Sequence, residues 1–296
     1  MSVAELNAGT LQEVKGRSLW ANAAHRFMRN KAAVTSVVVF CLIVIACYVV
    51  PYLGLRAPDD PGSYESWAAP DWETGYLLGT DANGRDLFVR TLYGGQISLL
   101  VGFTATLVSL IIGVVWGATA GFVGGRVDGF MMRIVDILYS IPFIFFVIML
   151  TVLFERKIWL IYVAIGAVSW LDMARIVRGQ TISIRRKEYI EAAEASGVST
   201  WRIITRHIIP NTLGPVVVYV TLTVPNVILT ESFISYLGMG AQEPDSSWGT
   251  LVSEAAVVME LAPWAIIGTA SFLAVTLLCL NFIGDGMRDA LDPKDR

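Results

Sequence analysis

The chain has 296 residues, 55% hydrophobic and 16% charged, with mean hydropathy +0.60 and a formal net charge of -3. Soluble domains carry nearer a quarter charged residues, so this composition excludes an ordinary soluble enzyme or nucleic-acid-binding module and indicates an all-α, polytopic membrane protein. Two isolated histidines, His25 and His207, exclude a His-built metal centre, and no HExxH occurs. Cys41, Cys47 and Cys279 lie in apolar runs and read as packing thiols, so neither a disulfide, a metal nor a catalytic residue is expected.

In chain order, residues 1–32 form an arm, 33–283 a membrane domain and 284–296 a tail. Within the arm, RSLWANAAHRFMRNK (17–31) gathers Leu19, Trp20, Ala23, Ala24 and Phe27 on one helical face, with Arg17, Arg26, Arg29 and Lys31 around it. That pattern predicts an amphipathic helix lying on the inner leaflet. No small-residue cleavage site follows the first apolar run, which reads as an uncleaved anchor. Apolar runs over 33–53, 96–120, 134–154, 158–174, 212–236 and 262–283 predict six transmembrane helices, the fourth being short and ending in charge. The second carries Ser109, Gly113, Gly117, Gly121 and Gly125 every four residues, a small-residue stripe that lets helix backbones approach closely. Pro142 and Pro225 are expected to kink the third and fifth. Asp172 has Arg175 three residues on, a spacing that predicts an ion pair.

Seventeen of the 22 Lys and Arg residues fall on the side of the N-terminus, and Arg56, Arg85, Arg90, Arg156 and Lys157 on the other. The positive-inside bias therefore predicts both termini in the cytoplasm. The polar stretch RKEYIEAAEASGVSTWRIITRHIIPN (186–211) then also faces the cytoplasm. Glu191, Ala192 and Ala193 favour helix and leave a flat small-residue face. Gly197 suits a turn, Ser199 or Thr200 a second helix cap, and Pro210 an end to that helix. Ile203, Ile204 and Ile208 share one side of the second helix, with Arg202 and Arg206 on the other.

The Glu191-Ala192-Ala193, Gly197 and Pro210 spacing resembles the EAA coupling loop of bacterial ABC importer permeases. LGTDANGRDLFVR (78–90), SYLGMGAQEPDSSWGTLV (235–252) and GDGMRDALDP (284–293) extend the likeness to the C-type permease subunits of dipeptide, oligopeptide and nickel importers, over essentially the whole chain. GRSLWANAAHRFMRNKAAV and VSWLDMARIVRGQTISIRRKEYIEAA resemble the oligopeptide branch. One departure is His207-Ile208-Ile209 where the general pattern has Ile-x-Leu before its Pro. The resemblance implies the type I ABC importer permease fold, in a bacterial inner membrane, forming half of an oligopeptide pathway. Dipeptides, nickel or another small solute are the alternatives within the family, and a stand-alone proton-coupled transporter the alternative outside it. Implied partners are a B-type permease subunit, two ABC ATPases holding ATP and Mg, and a periplasmic peptide-binding protein; this chain itself would bind no cofactor and no nucleic acid. Coupling to the ATPases falls to Glu191, Ala192, Ala193 and Gly197, with Arg202 and Arg206 as charge contacts. Glu231, late in the fifth run, is the candidate to face the translocation cavity or to pair with the other subunit. Segment 237–261, with Glu243, Asp245, Glu254 and Glu260 and no base, is a candidate landing surface for the binding protein.

Overall fold

The computed structural model describes residues 19–60, 65–153 and 158–291. Most of the arm before Leu19, the end of the tail, and Arg156 and Lys157 lie outside the described residues. The basic amphipathic stretch forms α1 (Leu19–Arg29), and Asn30 then starts α2 (Lys31–Tyr48), its side chain accepting the Ala33 N–H at 3.2 Å. A 3-10 turn at Val50–Tyr52 ends that span. Asp86 caps α3 (Leu87–Val123) by accepting the N–H groups of Phe88 and Val89 at 2.9 and 3.2 Å. This cap explains why α3 begins at Leu87 rather than at 96.

The expected third span is broken. Helices α4 (Gly125–Ser140) and α5 (Phe143–Leu153) meet around Pro142, where the pair bends by 78°. The missing Pro N–H and its ring, together with the extended conformation it favours at Ile141, account for the break. The fourth run becomes part of α6 (Ile158–Arg185), which continues through Arg175 and Arg178. Helix α7 (Glu188–Ala195) follows, and then α8 (Thr200–Tyr236), α9 (Trp248–Val257) and α10 (Pro263–Leu291). Among the described residues, four helices are long and apolar enough to cross a membrane, α2 with its 3-10 turn, α3, α8 and α10, and the bent α4–α5 pair makes a fifth if counted as one. The fourth expected crossing, 158–174, is the first half of a helix whose second half is charged and whose Leu171, Met173, Ala174 and Val177 are fully buried.

The most extensive helix contact is α3 with α6. One apolar cluster joins them to the polar loop through Val114, Phe122, Met173, Val177, Ile190, Ile203, Ile204 and Ile208. A second joins α2, α3, α8, α9 and α10 around Trp248. Pro210 does not end a helix. A π-helical turn at Ile204–Ile208 carries the chain through it into the span, making α8 one rod of 37 residues. A wider turn, closed by the Ile209 N–H on the Ile204 carbonyl, accommodates a residue that lacks an N–H and crowds the carbonyl four positions back.

Candidate functional site

The polar loop is a corner held at fixed geometry. Helix α7 ends with the Gly197 N–H donating to the Glu194 carbonyl at 3.0 Å and the Val198 N–H to the Ala193 carbonyl at 3.2 Å. That double closure requires a left-handed residue, and Gly197 supplies it with φ +75°. Ser199 occupies the N-cap position of α8 in extended conformation, but its side chain makes no capping bond. Ile190, Ile203, Ile204 and Ile208 point into the core and fix the corner from beneath. Glu191, Ala192, Ser196, Gly197, Arg202 and Arg206 are exposed, while Ala193 is half-buried. Trp201 is 59% exposed beside them, as is Tyr189 at 43%. Sequence reasoning passed over this pair of aromatics, although a Trp in a polar stretch was the available signal.

The glycine stripe lies against α6. A Cβ at Gly113 would sit 2.6 Å from the Met173 Cβ, and one at Gly121 would sit 2.8 Å from the Arg178 carbonyl. At Gly117 it would collide with the Ala174 carbonyl oxygen. The Ser109 hydroxyl donates across the same seam to the Ser169 carbonyl at 2.7 Å. Gly125 lies outside the stripe, past the end of α3, with nothing within 4 Å. Arg175 does not pair with Asp172. It donates to Asp136 on α4 at 2.8 Å and lies 4.4 Å over the Tyr139 ring. Arg178 makes a bidentate pair with Asp128, both bonds 2.6 Å.

Glu231 is 1% exposed. Hydroxyls surround it: Ser98 donates at 3.0 Å and Ser235 at 2.6 Å. Ser98 in turn accepts the Trp248 backbone N–H at 3.2 Å, and the Trp248 indole donates to the Thr91 carbonyl at 3.0 Å. Glu231 therefore ties α8 to α3 and, through Ser98, to α9. Its burial in this shell displaces the expectation that it faces a cavity or another subunit.

The segments before α3 and after α8 meet in a charge cluster. Asp81 and Arg90 are fully buried, and Arg85 nearly so. Arg85 donates to Asp81 and to Glu243, each at 2.6 Å. Arg90 donates to Asp81 at 2.5 Å and to Glu254 at 3.1 Å. Burial pushes the Glu254 carboxyl up from its ordinary range while Arg90 draws it down; burial likewise raises Asp86 against the N–H bonds of its cap. Glu254 is thus part-buried against Arg90, whereas Glu243, although paired with Arg85, stays exposed with Asp245 and Glu260 on the expected landing surface.

Residues 109–296 match the family model described as binding-protein-dependent transport system inner membrane component. Residues 18–70 match the N-terminal TM domain of oligopeptide transport permease C. The oligopeptide transport system permease protein OppC of Escherichia coli K12 is 55% identical over 302 residues, covering 100% of both chains. OppC of Haemophilus influenzae is 54% identical, covering 96% of this chain and 91% of that one, and OppC of Bacillus subtilis 40% identical, covering 99% and 96%. Among solved structures, a chain of the MetNI methionine ABC transporter in inward-facing conformations aligns with a TM-score of 0.52 at 18% identity, over 67% of this chain and 94% of that one; this likeness shows the fold.

Proposed function

The chain belongs to the family of binding-protein-dependent transport inner membrane components, in its oligopeptide permease C branch, and from that premise we propose that it forms half of the membrane pathway of an ATP-driven oligopeptide importer. The observation that carries the reading is full-length similarity to OppC proteins. The loop geometry supports it. An exposed small-residue helix, closed by Gly197 and anchored by four isoleucines, offers a partner a flat face on a rigid base. In this reading Glu191, Ala192, Ala193 and Gly197 dock on the ATPases, with Arg202 and Arg206 at the edge. ATP and Mg belong to those partners, a B-type permease supplies the other half, and a periplasmic binding protein delivers peptide. Both termini and the loop face the cytoplasm. The chain contributes shape and coupling rather than bond chemistry. Dipeptides, nickel or another small solute remain the alternatives within the family.

Deleting the chain from its host is expected to abolish tripeptide uptake, and a plasmid copy to restore it. Unchanged uptake in the deletion strain, with no second copy of the chain encoded, would refute the assignment. A pull-down of the chain from solubilised membranes is expected to bring down ATPases and a second permease.

A further inference from the structure

At the α4–α5 break lies an open cleft of about 330 Å³ lined in part by Tyr139, Pro142, Phe143, Ser169, Asp172 and Thr230. A larger, almost wholly apolar hollow adjoins it, sharing Pro142, Phe143 and Thr230 and adding Phe145, Leu229 and Phe233. The two make one continuous wall with a carboxylate at one end and aromatic and aliphatic side chains at the other. Asp172 sits on α6 next to Met173, whose side chain packs against Gly113 of α3.

A carboxylate bordered by Pro142, Phe143, Ile165 and Val168 is unfavourable unless something pairs with it. The nearby cations are already engaged: Arg175 with Asp136, and Arg178 with Asp128. Across the cleft, Thr230 on α8 and Ser169 on α6 bring only hydroxyls, and both donate to their own helices. Among the described residues Asp172 has no ion-pair or hydrogen-bond partner, so the wall carries one uncompensated negative charge beside the Tyr139 ring.

We propose that Asp172 and this wall form a peptide subsite, with the carboxylate receiving the peptide's α-ammonium group and the hollow at Phe143, Phe145 and Phe233 receiving an apolar side chain. The inference rests on the transport function proposed above and names the chemical groups recognised during passage. Because the binding protein is a separate chain, its own affinity for peptide is untouched by changes here.

The test uses the whole complex, with its partner permease, ATPases and binding protein, reconstituted in liposomes, and trialanine as the probe. Asp172→Asn is expected to lower trialanine delivered per ATP hydrolysed about tenfold, the scale of one lost charge-assisted bond. Asp172→Glu is expected to retain most of the delivery. In both variants the complex should assemble and the binding-protein-stimulated ATPase rate should hold, which a merely structural role would not produce. Wild-type delivery per ATP in Asp172→Asn would overturn the proposal. So would an Asp172→Asn chain that fails to assemble with its partner permease while Asp172→Glu assembles, because the carboxylate would then pair across the subunit interface. Absence of uptake by the wild-type complex would overturn the transport function itself, and this subsite with it.

Discussion

Gly117→Ala tests the seam between α3 and α6 with a single methyl group. The added carbon would collide with the Ala174 carbonyl oxygen and lie 2.9 Å from both the Arg178 nitrogen and the Val177 Cβ. Carbon makes favourable contact at about 3.5–4.0 Å, so the helices must part by about 1 Å at this point. Two of the three atoms are backbone and cannot rotate away. Overpacking of this kind costs about 1–3 kcal/mol, offset by up to about 1 kcal/mol from the better helix propensity of Ala. Gly179, on α6, is the matched control because a Cβ there meets nothing within 4 Å. Thermal unfolding of the purified chain in one detergent reads both. Gly117→Ala should melt roughly 2–12 °C below Gly179→Ala, which has the same propensity gain without the clash, given roughly 2–4 °C per kcal/mol for a chain of this size. Gly117→Leu should lower membrane abundance. If Gly117→Ala melts with Gly179→Ala, the two helices are not held at the distance described and the stripe has another explanation.

The remaining predictions concern the two ends of the bundle. Gly197→Val should insert normally yet lose ATPase co-purification and peptide uptake, because a β-branched residue resists φ +75° although space is open around it; normal uptake at normal abundance would falsify the assignment of coupling to this corner. Arg90→Met should destabilise the fold by about 3–5 kcal/mol by leaving the buried Asp81 and Glu254 short of a cation, whereas Glu243→Gln, whose side chain is 56% exposed, should cost no more than about 1 kcal/mol; comparable melting points for the two would contradict the burial argument. A reporter active only outside the cytoplasm should be silent after Arg296 and active near Ser63, and the reverse pattern would overturn the orientation.

What the sequence made legible was local. The spacing from Glu191 to Gly197 anticipates a helix closed by a left-handed glycine, because the closing bonds span at most five residues. Four-residue spacing likewise places Gly113, Gly117 and Gly121 on one face. The partners of that face were not legible, nor was the charge cluster: Arg85 meets Glu243 and Arg90 meets Glu254 across more than 150 residues of chain. Glu231 looked like a cavity residue because hydropathy registers a lone carboxylate but not the Ser98 hydroxyl that reaches it from another helix. Counting apolar windows gives six spans; among the described residues the structure holds four long apolar helices, or five with the bent pair, and a window registers neither the 78° bend at Pro142 nor the charged continuation of α6. Pro210 misled for a related reason. The rule that proline stops a helix assumes an α-turn, and here the turn is wider.

That wider turn makes α8 a lever. Thirty-seven residues of unbroken helix extend about 55 Å, from the exposed Trp201 to the Gly238 corner at φ +78°. Just beyond that corner Glu243 holds Arg85. If force enters at the polar loop, tilting the rod by about 5° about its inner end carries its far end sideways by about 5 Å, more than the length of a hydrogen bond. A displacement of that size would part Glu243 from an Arg85 that stayed in place, so one continuous helix links movement at the cytoplasmic corner to a latch at the opposite surface.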